Sequence, residues 1–296
     1  MQALLNHPYT VGVGIGVLFG FLSRLVMLQT DYRQYPTYPH GRIIHLSLGV
    51  IAAGLGALVV PSILEKQYTA VTFLSLAAQQ FRDVRSMERE TLTKLDTKEL
   101  VPRGVSYIEG IAMVFEGRNY LSILTACLTT MFCVLFAWYW GALVGIIAVL
   151  VSWHFKSGKS LGGIADIRPA EVRMEGADLY VGDIYIMNIG LQSSRDIIRE
   201  RGLGLVATPK NANCRATLAN PGQRQAMLHD MSVILGIYRD EGEPSLTPLA
   251  KLDLKDGRLG VFLLPLNQDP DFACQVFRRV PLLENAVKLP SEAPGR

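Results

Sequence analysis

Three aspartates stand where turn-like local sequence could bring carboxylates together. Asp183 follows Gly182 and precedes the apolar run Ile184-Tyr-Ile-Met187. Asp166 ends the stretch Gly162-Gly-Ile-Ala-Asp166, and Asp178 opens Asp178-Leu-Tyr-Val-Gly182. Two carboxylates that share one proton can divide base and acid roles, which is the chemistry of an aspartyl protease. Asp183 with Asp166 or Asp178 is therefore the candidate catalytic pair. The competing reading is that all three are turn-forming aspartates between strands.

Other reactive residues form weaker constellations. Ser193, Ser194 and His229 supply triad residue types, but no nucleophile elbow accompanies them. Gly158-Lys159-Ser160 ends like a phosphate-binding loop, yet the Gly such a loop needs five residues earlier is Trp153, and no strand leads in. Cys127, Cys133, Cys214 and Cys274 contain no C-x-x-C pair, so neither a zinc site nor a redox motif is expected. A net charge of +3 without a basic, aromatic-interleaved patch argues against nucleic acid. No cofactor or metal is expected.

The elements that would hold these residues divide the chain in two. A helix needs about 20 apolar residues to cross a bilayer. Residues 11–28 carry one charge, Arg24, near the end, where it can snorkel to the interface. Residues 43–64 carry no formal charge. Residues 120–155 are too long for one crossing and break at Trp138-Tyr-Trp140-Gly141, an aromatic turn at a membrane boundary. Four spans follow, at about 11–28, 43–64, 120–137 and 138–155. Lys and Arg concentrate in 66–118 and after 155, which places the N-terminus, segment 65–119 and the C-terminal domain in the cytoplasm. Residues 68–81 are apolar but short, reading as an interfacial or re-entrant helix. A fifth span there would move the N-terminus outside. Gly12, Gly16 and Gly20 form a small-residue stripe for close helix packing.

Residues 156–286 read as a soluble α+β sandwich, with 287–296 a frayed tail. Strands are expected over 171–174, 179–181, 184–189 and 203–207. A hairpin pairs 249–254 with 259–264 around Lys255-Asp256-Gly257. Helices are expected over 193–201, capped by Ser193 or Ser194, from Asn220-Pro-Gly to about 235, and from Asp269-Pro-Asp to about 279.

Between the apolar blocks lies Tyr107-Ile108-Glu109-Gly110-Ile111-Ala112. Ile108, Ile111, Ala112 and Phe115 share one helix face, and Glu109 and Glu116 share another as a possible interaction face. Spelled in one-letter code the hexapeptide is YIEGIA, and the chain resembles, over its full length, the YIEGIA family named for it. Members come from endospore-forming Firmicutes. The resemblance implies a multi-pass cell-membrane protein associated with sporulation and carries no catalytic residue with it. Gly182-Asp183 also looks like a degraded Gly-x-Gly-Asp motif of membrane-embedded aspartyl proteases, departing at Tyr180. The expectation is a protein in the lipid bilayer whose cytosolic domain docks a protein partner. The alternative is a membrane-tethered aspartyl-type protease in regulated proteolysis.

Overall fold

In a computed structural model, residues 9–31, 39–155, 159–240, 243–244 and 247–287 are described. Residues 156–158, which begin the loop-like Gly158-Lys159-Ser160 stretch, and the tail 288–296 lie outside them. The chain forms two compact units. One comprises residues 1–89 and 111–157, the other residues 90–110 and 158–296.

The first unit is helical. Its elements are α1 (Thr10–Asp31), α2 (Pro39–Leu64), α3 (Tyr68–Asp96), α4 (Val105–Leu135) and α5 (Trp138–Phe155), with α3 and α4 each contributing to both units. Among the described residues, three helices are long and apolar enough to cross a membrane: Thr10–Leu28, Gly41–Leu64 and Val105–Leu135; Trp138–His154 is a shorter apolar helix. Two boundaries differ from the sequence expectation. The amphipathic segment around Tyr107 and the third apolar stretch are one continuous helix, α4. The turn before α5 falls at Phe136 and Ala137, so Trp138, Tyr139 and Trp140 form the exposed first turn of a helix instead of the turn itself. Small residues let these helices approach closely. A Cβ added at Gly20 would sit 2.8 Å from the Cβ of Ala126 and 2.9 Å from that of Ala53, so the backbones meet where the glycine stripe predicts.

The second unit is α+β. A four-stranded antiparallel sheet has the order β1 (Ala165–Ala170), β5 (Leu203–Pro209), β9 (Leu259–Leu263), β8 (Leu249–Leu252). A second sheet joins β2 (Val172–Glu175), β3 (Asp178–Val181) and β4 (Ile184–Asn188) as a meander. Two short strands, β6 (Arg239–Asp240) and β7 (Glu243–Pro244), pair with each other. The helices are α6 (Leu161–Ile164), α7 (Gln192–Arg201), α8 (Ala212–Ala219), α9 (Pro221–Leu235) and α10 (Pro270–Arg279).

Strand β9 explains why its sequence is apolar without alternation. Leu259, Val261 and Leu263 point into a core with Met227, Met231 and Phe277 from α9 and α10. Phe262, together with Leu264 just past the strand, points into a core with Leu179, Ile184 and Ile198. Successive strand side chains face opposite ways, so a strand buried on both faces is hydrophobic throughout. Leu205 pairs with Val261 across the β5–β9 ladder, setting the register that serves both cores.

Caps set the helix starts. Asn220 accepts from the Gln223 amide and Pro221 occupies the first position of α9; Asp269 accepts from the Asp271 and Phe272 amides at the start of α10. Helix α7 begins one residue before Ser193. Leu191 holds its cap position without a side-chain bond, so neither Ser193 nor Ser194 is the cap.

Candidate functional site

Within the helical unit, polar residues of four helices meet in a buried layer. Arg24 of α1 is fully buried, so it does not snorkel to solvent; it donates from Nε to Asn119 Oδ1 of α4 at 3.3 Å. Its Nη2 lies 3.4 Å from His45 Nδ1 of α2, and its guanidinium is 5.4 Å from the Phe115 ring centroid. A guanidinium only donates, so His45 Nδ1 is the acceptor and Nε2 carries the proton. That nitrogen faces Glu88 Oε1 of α3 at 3.9 Å. Arg85 of α3 pairs with Glu116 of α4 at 3.0 Å, and Arg118 of α4 donates to the Met27 carbonyl of α1 at 3.1 Å. Each contact joins two different helices. Ion pairs taken out of water contribute little net stability, but a partnered set disfavours every packing that would break it. Gly49 makes room: a Cβ there would lie 2.8 Å from Arg24 Cγ. The layer was not legible in sequence, because Arg24, His45, Glu88 and Asn119 have no mutual spacing. The one available hint was a charge inside an apolar helix.

The hexapeptide lies where the chain passes from one unit to the other. Tyr107 to Gly110 belong to the α+β unit, Ile111 and Ala112 to the helical one. Inside the α+β unit, the segment before and within the motif packs on one face of α9. Asp96 accepts from the Arg103 amide at 2.5 Å and the Gly104 amide at 3.0 Å, closing the 97–104 loop. The Val101 carbonyl accepts from His229 Nδ1 at 2.7 Å. The Tyr107 ring stands edge-on to the His229 ring, with centroids 6.4 Å apart. Gly222, Gln225 and His229 are three, then four residues apart on α9, which is why they share this face. The backbone at Gly222 approaches Ser106, and Gly104, at φ +76°, lies against the Gln225 amide. Gly110 meets Asn285: a Cβ there would be 2.7 Å from Asn285 Nδ2. The motif's aromatic and its glycine thus have separate packing reasons.

Asp230, next along α9, is pushed up to about 7 by burial, with Arg103 opposing the shift. Burial also holds His229 below the usual imidazole range. Glu116 pairs with Arg85, as above; Glu109 is half-buried on α4.

The aspartates are placed apart. Asp183 sits in the turn after β3, and both its carboxylate oxygens accept from Arg258, at 2.9 and 2.7 Å. That bidentate pairing holds its carboxyl below the usual range. Arg258 also contacts Asp256 and Asp253. Asp178 starts β3, accepts from the Asn188 amide group at 2.8 Å, and is separated from the turn by the strand, about 10 Å at 3.3 Å per residue. Asp166 lies on β1, opposite Thr208 of β5 in the other sheet. Neighbouring groups other than carboxyls hold Asp183 and Asp178, and an ion-paired, lowered carboxyl is the opposite of one that keeps a shared proton. Ser193 and Ser194 are on α7; His229 is engaged on α9. Among the described residues, no three His, Cys, Asp or Glu side chains converge on a possible metal position.

Comparison with known proteins gives the family. The chain is similar to the uncharacterized protein YphB of Bacillus subtilis (strain 168), 52% identical over 284 residues that cover 96% of each chain. No solved structure matches. The model of the family described as YIEGIA protein matches residues 12–293, and the chain belongs to that family.

Proposed function

We propose that the protein is a multi-pass membrane protein whose α+β unit faces the cytoplasm and docks a protein partner during sporulation, without catalysing a reaction. Three helices of spanning length and apolarity support the membrane part. The cations of residues 82–118 and the pair Lys156 and Lys159 support the cytoplasmic side. Sporulation rests on the family resemblance.

The observation that carries docking is an apolar patch at the end of α9. Val233 and Ile234 are 65% and 55% exposed, and Leu266, 65% exposed, lies over Gly236. Contiguous exposed aliphatic groups on a soluble unit mark interaction surfaces. The aspartates give the protease alternative no comparable support.

Crosslinking in sporulating cells, followed by purification through a tag on the full chain, tests this reading. A discrete partner should be recovered with the native protein and lost with Val233→Asp, while the variant remains folded and in the membrane. Recovery of no partner by the native protein, or undiminished recovery by the variant, refutes docking at this patch.

A further inference from the structure

We propose that α3 is an additional membrane-crossing helix whose exposed face meets lipid acyl chains, so that five helices cross and the N-terminus lies on the opposite side from the α3–α4 connection. The directions of the helices carry this. Along α4, contacts with α1 run in reverse order: Gly12 lies against Cys133, Gly16 against Thr130, Gly20 against Ala126, and Arg24 on Asn119. Contacts with α2 run in the same order: the His45 and Phe115 rings are 4.7 Å apart, Ser122 Oγ is 3.5 Å from the Gly49 carbonyl, and Gly56 lies against Ile123. Helices α2 and α4 are therefore parallel. A chain that leaves one and enters the other in the same direction must return across the bundle between them.

Helix α3 makes that return. Its Phe81 ring is 6.3 Å from the Tyr120 ring and its Arg85 is 3.0 Å from Glu116, an antiparallel match to α4. From Phe81 back to Tyr68 the helix rises about 20 Å at 1.5 Å per residue, which brings Tyr68 level with the last turns of α4. The whole of α3, at 29 residues, is about 43 Å long, and its charge-free part, residues 68–81, covers about 21 Å of that. Helix α5 matches α1 in direction, through Phe19 against Gly145 and Ser23 Oγ 3.1 Å from Ser152 Oγ.

The surface of α3 suits lipid. Leu74 and Phe81 form its buried stripe, while Phe73 and Leu76, 69% and 55% exposed, look outward. Residues 68–81 carry no charge. The hydroxyls of Thr72 and Ser75 donate to the Tyr68 and Val71 carbonyls of the same helix, so they need no water. On α2, Leu58 and Ile63 are likewise exposed aliphatic residues. The charges fit too. In the sequence, Arg33, Arg42, Arg89, Lys94, Lys98, Arg103, Lys156 and Lys159 fall within or beside the α1–α2 connection, the α3–α4 connection and the exit of α5, whereas the α2–α3 and α4–α5 connections, 65–67 and 136–137, hold Lys66 as their sole Lys or Arg. Four spans would put Arg33 and Arg42 on the wrong side of that asymmetry. Five put them on the cation-rich side. Helix α3 escapes recognition by composition because Gln79, Gln80 and the charged residues from Arg82 onward dilute its apolar half.

Gln67→Cys and Lys98→Cys, each in the full-length protein, can be exposed in intact and permeabilised cells to a membrane-impermeant maleimide, with the native cysteines as background. With five crossings the two positions lie on opposite sides of the membrane. Labelling of Gln67→Cys in intact cells and of Lys98→Cys after permeabilisation alone is expected, since this combination also keeps the cytoplasmic assignment on which the orientation rests. The reverse pattern keeps the fifth crossing and overturns that assignment. Both positions on one side overturns the crossing. If Gln67→Cys fails to react in either condition, external protease decides: removal of an N-terminal epitope with a C-terminal one retained supports the crossing, and protection of both refutes it.

Discussion

Replacing Asp230 by Asn should stabilise the α+β unit, and the gain should grow with pH. The half-buried carboxyl holds its proton up to about 7 when folded, against a reference of 3.8. Because the folded value is raised, the native state binds the proton more tightly than the unfolded chain. The stability this represents is complete below the unfolded value and is lost as pH rises from about 4 to about 7. At about 1.4 kcal/mol per pH unit, the charged form costs about 4 kcal/mol above pH 7. An amide cannot ionise, so Asp230→Asn removes that cost. For a domain of this size the melting temperature should rise by about 10 °C at pH 8. His229 acts in the opposite sense: its lowered pKa favours the native state above about 6.5 and weakens it in acid. Both proteins retain His229, so the difference between their melting curves isolates Asp230. Thermal melts of the full-length protein in detergent between pH 5 and 8 provide the assay. A difference that does not widen with pH, or a variant less stable at pH 8, would refute the assignment of the buried charge.

Two further outcomes follow from the same unit. Gly110→Leu drives a side chain into Asn285 and should destabilise by about 1–3 kcal/mol, with partial recovery in the Gly110→Leu, Asn285→Ala double variant; equal melts for single and double variants would show that Asn285 is not the obstacle. Arg258→Ala releases an exposed carboxylate and should cost about 1 kcal/mol or less at neutral pH. Since the Asp183 carboxyl is lowered, its contribution exists above the unfolded value and disappears as pH falls below it, so native and variant melts should converge in acid.

Legibility in the sequence followed the length and purity of local signals. Asn220-Pro221 and Asp269-Pro270 announced α9 and α10 because a capping side chain and proline act within one turn. The hairpin at Lys255-Asp256-Gly257 was readable because its turn requires Gly257 at φ +80°. Strand β1 was hidden by Arg168 and Pro169; as an edge strand paired only with β5, it tolerates a missing amide. The contacts of Tyr107 with His229 and of Gly110 with Asn285 were out of reach, since they join positions more than a hundred residues apart. The aspartates illustrate the converse: Asp183 looked like motif chemistry, but Arg258, 75 residues on, decides its state.

The central claim is a membrane protein whose α+β unit lies in the cytoplasm. Fusing a fluorescent protein that matures only in the cytoplasm, or a phosphatase active only outside, to the C-terminus of the full chain tests it most directly. The account predicts membrane-bound fluorescence with an inactive phosphatase. An active phosphatase with a dark fluorescent fusion would contradict it.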